Sequence, residues 1–253
     1  MKVLRESWLV YRRYLRRNIK DPLYMGVSLV QPLLYLVLFA PILKSVAALP
    51  GFPRGGPYNV FVPGLLVQLS LFSVTSGGWG LIAELRAGIL ERLRVTPVSR
   101  IALLMGRSLR DVTLLVVQAA LIVAVAVPFG LQLEFPGVLL ALLLIGLLAL
   151  LMGSVSYAVA LVIRDENRFG ALVFSATLPL LLLSGVLLPM SLAPGWLQAV
   201  ADVNPLAYAV SAERALFANR LDDLAVLQGF LVVGALGVLG VLSAARSFGR
   251  SVA

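Results

Sequence analysis

The sequence contains no histidine and no cysteine. The first absence removes the commonest general base and the commonest zinc ligand. The second excludes a disulfide framework and thiolate chemistry. Lysine is nearly missing as well: Lys2, Lys20 and Lys44 are the whole set, and none follows a glycine. A phosphate-cradling G-x-x-x-x-G-K-[ST] loop is therefore absent from these 253 residues. Charged residues make up 13% of the chain, against about 25% in an ordinary soluble domain. No catalytic residue, metal site or cofactor is expected in this chain. The net charge of +9 comes without interleaved aromatic and basic residues, so nucleic acid is a poor partner for it.

What is present is oil. Hydrophobic residues form 60% of the sequence. Uncharged windows run over 22–43, 55–83, 112–133, 135–163, 169–201 and 224–245. A bilayer-spanning helix needs about 20 apolar residues, so six spans are the economical reading. The first window exceeds the 7–15 apolar residues of a typical signal peptide and is expected to be retained. With both termini inside, 17 of the 21 lysines and arginines fall on inner segments. Lys44, Arg54, Arg214 and Arg220 fall outside. That asymmetry favours cytoplasmic termini.

Residues 3–19 are amphipathic at helical spacing. Leu4, Trp8, Tyr11 and Leu15 share one face, and Arg5, Arg12, Arg13, Arg16 and Arg17 fall on the other. Such a helix lies in the inner interface against membrane lipid, either as a simple anchor or with its polar face on a partner. The second window carries a polar stripe, Gln68, Ser70, Ser73, Thr75 and Ser76. Ser73 with Gly77 and Ser76 with Gly80 form small-xxx-small pairs, which favours helix packing over pathway lining. Gln68, Thr75 and Thr177 are the pathway candidates in a core of amides and hydroxyls without fixed charge. The carboxylates read as scattered over termini and loops, and no span carries an ionisable residue. That argues against a proton-coupled pump. After the fifth window, residues 189–223 are too apolar for a solvated loop. Two short helices near 194–201 and 205–217 are expected to dip into the outer leaflet, broken at Asn204-Pro205. Gly234, Gly237 and Gly240 mark a close-packing stripe on the sixth span.

Between the second and third windows stands "AELRAGILERLRVTPVSRIALLMGRSLRD". Leu85, Ile89 and Leu93 have helical spacing among Glu84, Arg86, Glu91, Arg92 and Arg94. Pro97 disfavours a helical Thr96, so a short helix over Leu85–Val95 should stop there. Ser99 is placed to cap a new helix from Arg100. An interfacial helix that touches only lipid is the plainer alternative.

Three stretches resemble the membrane subunit of a type-2 ABC exporter of the daunorubicin-resistance permease kind. They are "QPLLYLVLFAP" after the basic N-terminal helix, "AGILERLRVTPVSRIALLMGRSLRD", and "GVLLPMSLAPGWLQAVADVNPLAYAVSAERAL". The resemblance implies an all-α integral membrane protein with six transmembrane helices. An N-terminal amphipathic interfacial helix, a cytoplasmic coupling helix and two short outer re-entrant helices complete it. It implies a single transmembrane domain over 1–253, with 1–21 interfacial, 84–110 coupling and 189–223 outer. Glu84, Gly88 and Pro97 match the coupling segment, which as a whole would seat Leu85, Ile89, Glu91, Arg92, Leu93 and Arg94 on a separate ABC-type ATP-binding subunit. Trp8, Arg12 and Arg16 would flank that contact. Trp196, Asn204, Pro205 and Tyr208 would belong to the outer lid. ATP and Mg would sit in the partner, and a second permease chain, identical or not, would complete the transporter in a bacterial or archaeal inner membrane. The expected function is export of an amphipathic drug, lipid or glycan; an ATP-independent secondary carrier is the alternative. An intramembrane enzyme lacks the residues it would need.

Overall fold

The computed structural model describes residues 2–19, 22–46, 56–89, 99–186, 190 and 193–251. Among them every regular element is helical. Helix α1 spans Lys2–Ile19, α2 Pro22–Val46, α3 Pro57–Arg86 and α4 Arg100–Ala126, which ends in a 3-10 turn, Val127–Phe129. Then come α5 (Phe135–Ile163), α6 (Glu166–Leu183), the short α7 (Gly195–Ala201) and α8 (Pro205–Phe217), and α9 (Leu224–Ser251).

Four helical stretches among the described residues are long and apolar enough to cross a membrane: Pro57–Arg86, Ile101–Phe129, Phe135–Ile163 and Leu224–Arg246. Helix α3 is the axis of the bundle: 78% of its most apolar window is buried, against 28% for α4 and 22% for α9. The outer helices turn Val117, Leu121, Leu139, Leu143, Leu231 and Leu242 outward. In water that surface would be unfavourable; in a bilayer it is solvated by lipid tails.

The elements start where the local chemistry predicts. Ser99 caps α4 by accepting the Ala102 N–H at 3.1 Å. Asn204 caps α8 by accepting the Leu206 N–H at 3.0 Å, and Pro205 occupies the first turn, where its missing N–H costs nothing. The two short helices thus fall at the residues where they are expected.

Helix α4 begins at Arg100, as the Ser99 cap predicts, and so extends ahead of the uncharged window 112–133, with Arg107, Arg110 and Asp111 on the helix. Other boundaries differ. Helix α6 begins at Glu166, because Asp165 accepts the Arg168 N–H at 2.9 Å and opens the helix earlier. It ends at Leu183, well inside the uncharged window 169–201, and Gly185 follows with φ +74°. The helix expected over Leu85–Val95 is broken at its start. Helix α3 runs on through Arg86, and Gly88 takes φ +65°, a conformation that glycine adopts without a Cβ penalty. Leu85 and Ile89 therefore lie on either side of a turn. Glu91, Arg92, Leu93, Arg94 and Pro97 lie outside the described residues.

Small residues set the close approaches. A Cβ on Gly78 would run into the Phe169 ring, and one on Gly106 would fall 2.6 Å from Val10 Cγ1. The two small-residue pairs on α3 divide. Gly77 packs against Ser156 and Tyr157 of α5, whereas Gly80 has open space beside it. Of the α9 stripe, Gly237 and Gly240 face Leu147, Leu151 and Ser154 of α5, whereas Gly234 meets nothing.

At the end of the bundle that holds α7 and α8, Asn59 ties three elements. Its amide donates to the Phe217 carbonyl at 3.0 Å and the Gln132 carbonyl at 3.1 Å, and accepts from the Gln132 N–H at 3.2 Å. Asn59→Leu strips the buried Phe217 carbonyl of its partner. It should cost about 1–3 kcal/mol and lower the thermal unfolding midpoint of the purified protein. An unchanged midpoint would refute this account of the α7–α8 end.

Candidate functional site

The two ionic residues closing α3, Glu84 and Arg86, reach in opposite directions. Glu84 forms an ion pair with Arg107 of α4. The Tyr14 hydroxyl of α1 donates to the same carboxylate at 2.9 Å and accepts from Arg107 at 2.7 Å. Arg107 and Arg110 lie 4.8 and 5.7 Å from the Tyr14 ring centroid, a cation–π arrangement. One turn deeper, Arg110 pairs with Asp111 at 2.7 Å, and the Tyr157 hydroxyl of α5 donates to Asp111. Arg86 turns the other way. It pairs with Asp165 at 3.0 Å and Glu166 at 3.6 Å, at the turn between α5 and α6. The Arg168 N–H, together with the Arg86 guanidinium, holds the Asp165 carboxyl below the usual carboxylate range. The Trp79 ring N–H of α3 donates to the Glu166 carbonyl at 3.1 Å. The root of the basic segment is thus bound to α1 and α4 on one side and to the α5–α6 turn on the other.

Helix α1 meets the bundle through Ser7, which is buried, and through Val10, Tyr11, Tyr14 and Leu15, which are half-buried, while Leu4 and Trp8 are exposed. At 100° per residue that side is rotated by about a sixth of a turn from the apolar face of Leu4, Trp8, Tyr11 and Leu15. The reason is close approach. Gly106 admits Ser7 and Val10, and the Glu6 carboxylate accepts the Ser99 N–H at 2.8 Å. The helix therefore has three faces: one on α4, an exposed apolar one with Leu4 and Trp8, and a basic one with Arg5, Arg12 and Arg16.

Beside the ion network opens a cleft of about 850 Å³. Thr75, Ser76, Phe72 and Trp79 of α3 line it with Tyr14, Glu84, Ile89 and Arg110. Of the three pathway candidates, Thr75 lines this cleft, whereas Gln68 and Thr177 are buried between helices of the chain. Leu85 packs on the core.

At the opposite end, Trp196 stands exposed on α7. Asn204 also donates to the Leu180 carbonyl at 2.8 Å, and the Tyr208 hydroxyl donates to the Asp202 carbonyl at 2.9 Å. Arg214 of α8 donates to the carbonyls of Val60 at 3.0 Å, Gly185 at 2.7 Å and Val186 at 3.4 Å. Burial lowers its pKa to about 10, so it stays charged at neutral pH. Beside it Glu213 is fully buried, and burial pushes its carboxyl well above the ordinary range. The expectation that every carboxylate lies on termini and loops is corrected here: Asp111 and Glu213 sit in packed helices.

Residues 5–218 match the ABC-2 type transporter family. The chain belongs to that family. The ycf38 transport permease of Cyanophora paradoxa is 27% identical over 218 residues, 85% of this chain and 75% of the relative. The daunorubicin resistance ABC transporter permease protein DrrB1 of Streptomyces coeruleorubidus is 27% identical over 198 residues, 77% of this chain and 69% of that protein. The matched region includes both ends of the bundle. With its apolar helices, the chain is a multi-pass ABC-2 permease.

Sequence reasoning named Glu84 and missed its partners. Tyr14, Arg107, Arg110, Asp111 and Tyr157 carried one signal. Tyr157 is a phenol inside an uncharged window, and a buried phenol calls for a hydrogen-bond partner.

In this permease, removing one member of the buried pair strands the other. Glu84→Ala should cost about 3–5 kcal/mol in denaturant unfolding of the purified protein. Glu84→Leu with Arg107→Leu should recover much of it, since two apolar groups leave no stranded charge. If the double variant is as unstable as the two losses added, the pair is not the coupled unit described.

Proposed function

We propose that this chain is the membrane-spanning subunit of an ATP-driven exporter, powered by a separate ABC-type ATP-binding subunit that holds ATP and Mg. The observation that carries the reading is the double anchorage of the segment after α3. Glu84 binds it to α1 and α4, and Arg86 binds it to the α5–α6 turn. A push on residues 87–99 therefore reaches both sides of the bundle through ion pairs, which suits a lever seated on a motor. The chain performs no catalysis of its own in this reading.

Six crossings follow if α2 and α6 join the four long apolar helices. Helix α2 has 25 residues, about 38 Å at 1.5 Å per residue. Helix α6 has 18, and its first turn is polar. Both termini and residues 84–110 face the cytoplasm of a bacterial or archaeal inner membrane, and residues 189–223 form the outer lid. Two permease chains enclose the pathway. The exposed apolar face of α1, with Leu4 and Trp8 beside Arg5, Arg12 and Arg16, rests on inner-leaflet lipid. The substrate is amphipathic: the cleft at the Glu84 end offers the Phe72, Trp79 and Tyr14 rings next to hydroxyls and ionic groups.

Topology is tested with single cysteines, since the chain has none. In intact cells Val203→Cys should react with an impermeant thiol reagent, and Ala87→Cys only after permeabilisation. The reverse pattern would overturn the orientation.

Coupling is tested at Leu93, an apolar member of the segment at helical spacing from Leu85 and Ile89. Truncating a buried interface anchor costs about 2 kcal/mol or more at a hot spot, and rim charges matter less. Leu93→Asp should insert normally yet lose co-purification with the ATP-binding subunit and lose transport. Arg94→Ala should weaken association less. Normal association and transport by Leu93→Asp would remove the lever reading. The buried Glu213 favours one alternative, an ATP-independent carrier driven by protons; transport by the permease without its partner would establish it.

A further inference from the structure

We propose that Glu213 is a proton-operated latch of the outer lid: its carboxyl holds a proton while α8 is seated in the bundle and releases it to water when the lid opens. The inference rests on the reading of residues 189–223 as the outer lid, and it adds a regulation to that lid.

Glu213 is 0% exposed, and neither carboxyl oxygen has a hydrogen-bond partner among the described residues. The helices packed on α8 are α3, α5, α6 and α9. None offers a charge. Residues 57–83 of α3, 135–163 of α5, 169–183 of α6 and 224–245 of α9 contain no aspartate, glutamate, lysine or arginine. The titratable side chains these elements carry near this end are phenols, Tyr58 on α3 and Tyr208 on α8 itself, whose hydroxyl donates to the Asp202 carbonyl. Glu134, before α5, is engaged by the Asn219 amide, and Asp223, before α9, pairs with Arg220 at 3.0 Å. The cation next in the chain, Arg214, is committed to the carbonyls of Val60, Gly185 and Val186. An ionised carboxylate with no partner in so apolar a place is far more costly than a protonated one.

Tyr208, Ser211 and Arg214 line an open cleft of about 310 Å³ on the side of α8 that faces away from the buried stripe. Successive residues on a helix are about 100° apart, so Glu213 lies about 100–160° around α8 from those cleft residues, at the centre of the buried stripe, and meets water only when α8 lifts from its seat. Once wetted, the group becomes an ordinary carboxylic acid of pKa about 4.3 and loses its proton to water. The sign follows from linkage. The seated state binds a proton that the open state releases, so it is favoured at low pH. Above the ordinary carboxylate value, each pH unit shifts the balance about tenfold towards open, until the buried group itself ionises. The Arg214 and Asn204 contacts do not titrate in this range and set the baseline.

The test uses the full chain in lipid nanodiscs with no transport assay, so its failure leaves the ATP-coupled reading untouched. Infrared spectra at pH 7 should contain the carbonyl stretch of a protonated carboxylic acid that disappears in Glu213→Gln. Absence of that difference band overturns the proposal. Val210→Cys, on a buried position of α8, then reports opening through its reaction with a small neutral thiol reagent from pH 6 to 8.5. The rate in the Glu213 protein, divided by the rate in Glu213→Gln, should rise by up to about tenfold per pH unit. Glu213→Met, which needs no hydrogen bond and keeps the seam apolar, should follow the Gln variant in pH dependence. Parallel pH profiles in all three proteins mean a buried acid without a latch, and overturn the proposal.

Discussion

A carboxylate and a guanidinium taken out of water each cost several kcal/mol unless they meet in good geometry. The Glu84–Arg107 pair is where this chain accepts that constraint. Each group then needs its remaining hydrogen-bonding capacity filled, and Tyr14 fills both by donating to one and accepting from the other. That is why α1 lies where it does. Its seam is poor in large apolar residues and cannot be held by hydrophobic area alone; the phenol fixes its rotation, and Gly106 lets it come close. Arg110, Asp111 and Tyr157 extend the same solution one turn deeper and bring in α5. Four helices are therefore positioned by one continuous polar network.

The other end is held by a different chemistry. Asn59, Asn204 and Arg214 all satisfy main-chain carbonyls. These carbonyls come from helix ends and from the break after α6, where the backbone has no intrahelical partner to offer. A long side chain reaching such orphan groups lets short helices such as α7 and α8 sit at the end of a bundle. It also explains why this apolar segment tolerates a half-buried arginine: Nε and Nη2 of Arg214 are aimed at main-chain oxygens.

Much of this was readable in the residues. Four of the six uncharged windows as long apolar helices, the Ser99 cap, and the two short helices before and after Asn204-Pro205 follow from local chemistry, and the described residues reproduce them. The long-range pairings do not follow from local chemistry. Tyr14 and Glu84 are 70 residues apart, and nothing in either neighbourhood specifies the other. The rotation of α1 was hidden for a related reason: periodicity finds the most hydrophobic face, whereas a seam built from a serine and a glycine packs by small size. The break at Gly88 was visible as a glycine, yet it sits inside a run whose apolar spacing continues across it. Glu213 was legible in principle. It falls four residues after Ala209 and four before Phe217, on the buried stripe of α8, so helical spacing alone marks it as interior.

The two ends therefore differ in how they can move. At the Glu84 end, charges of opposite sign are paired in a poorly solvated place, and separating them would leave two uncompensated ions. Small displacements there are resisted steeply, so α1, α4 and the end of α3 respond as one block. At the opposite end the acceptors are neutral carbonyls, and losing a side-chain donor there costs about 1–3 kcal/mol at most, less than stranding a buried ion. An input at the ionic end is thus passed on with little distortion, while the carbonyl-bonded end is the part free to yield. If the proposed lever drives the basic segment, the place expected to yield is where α7 and α8 meet the ends of α3 and α6.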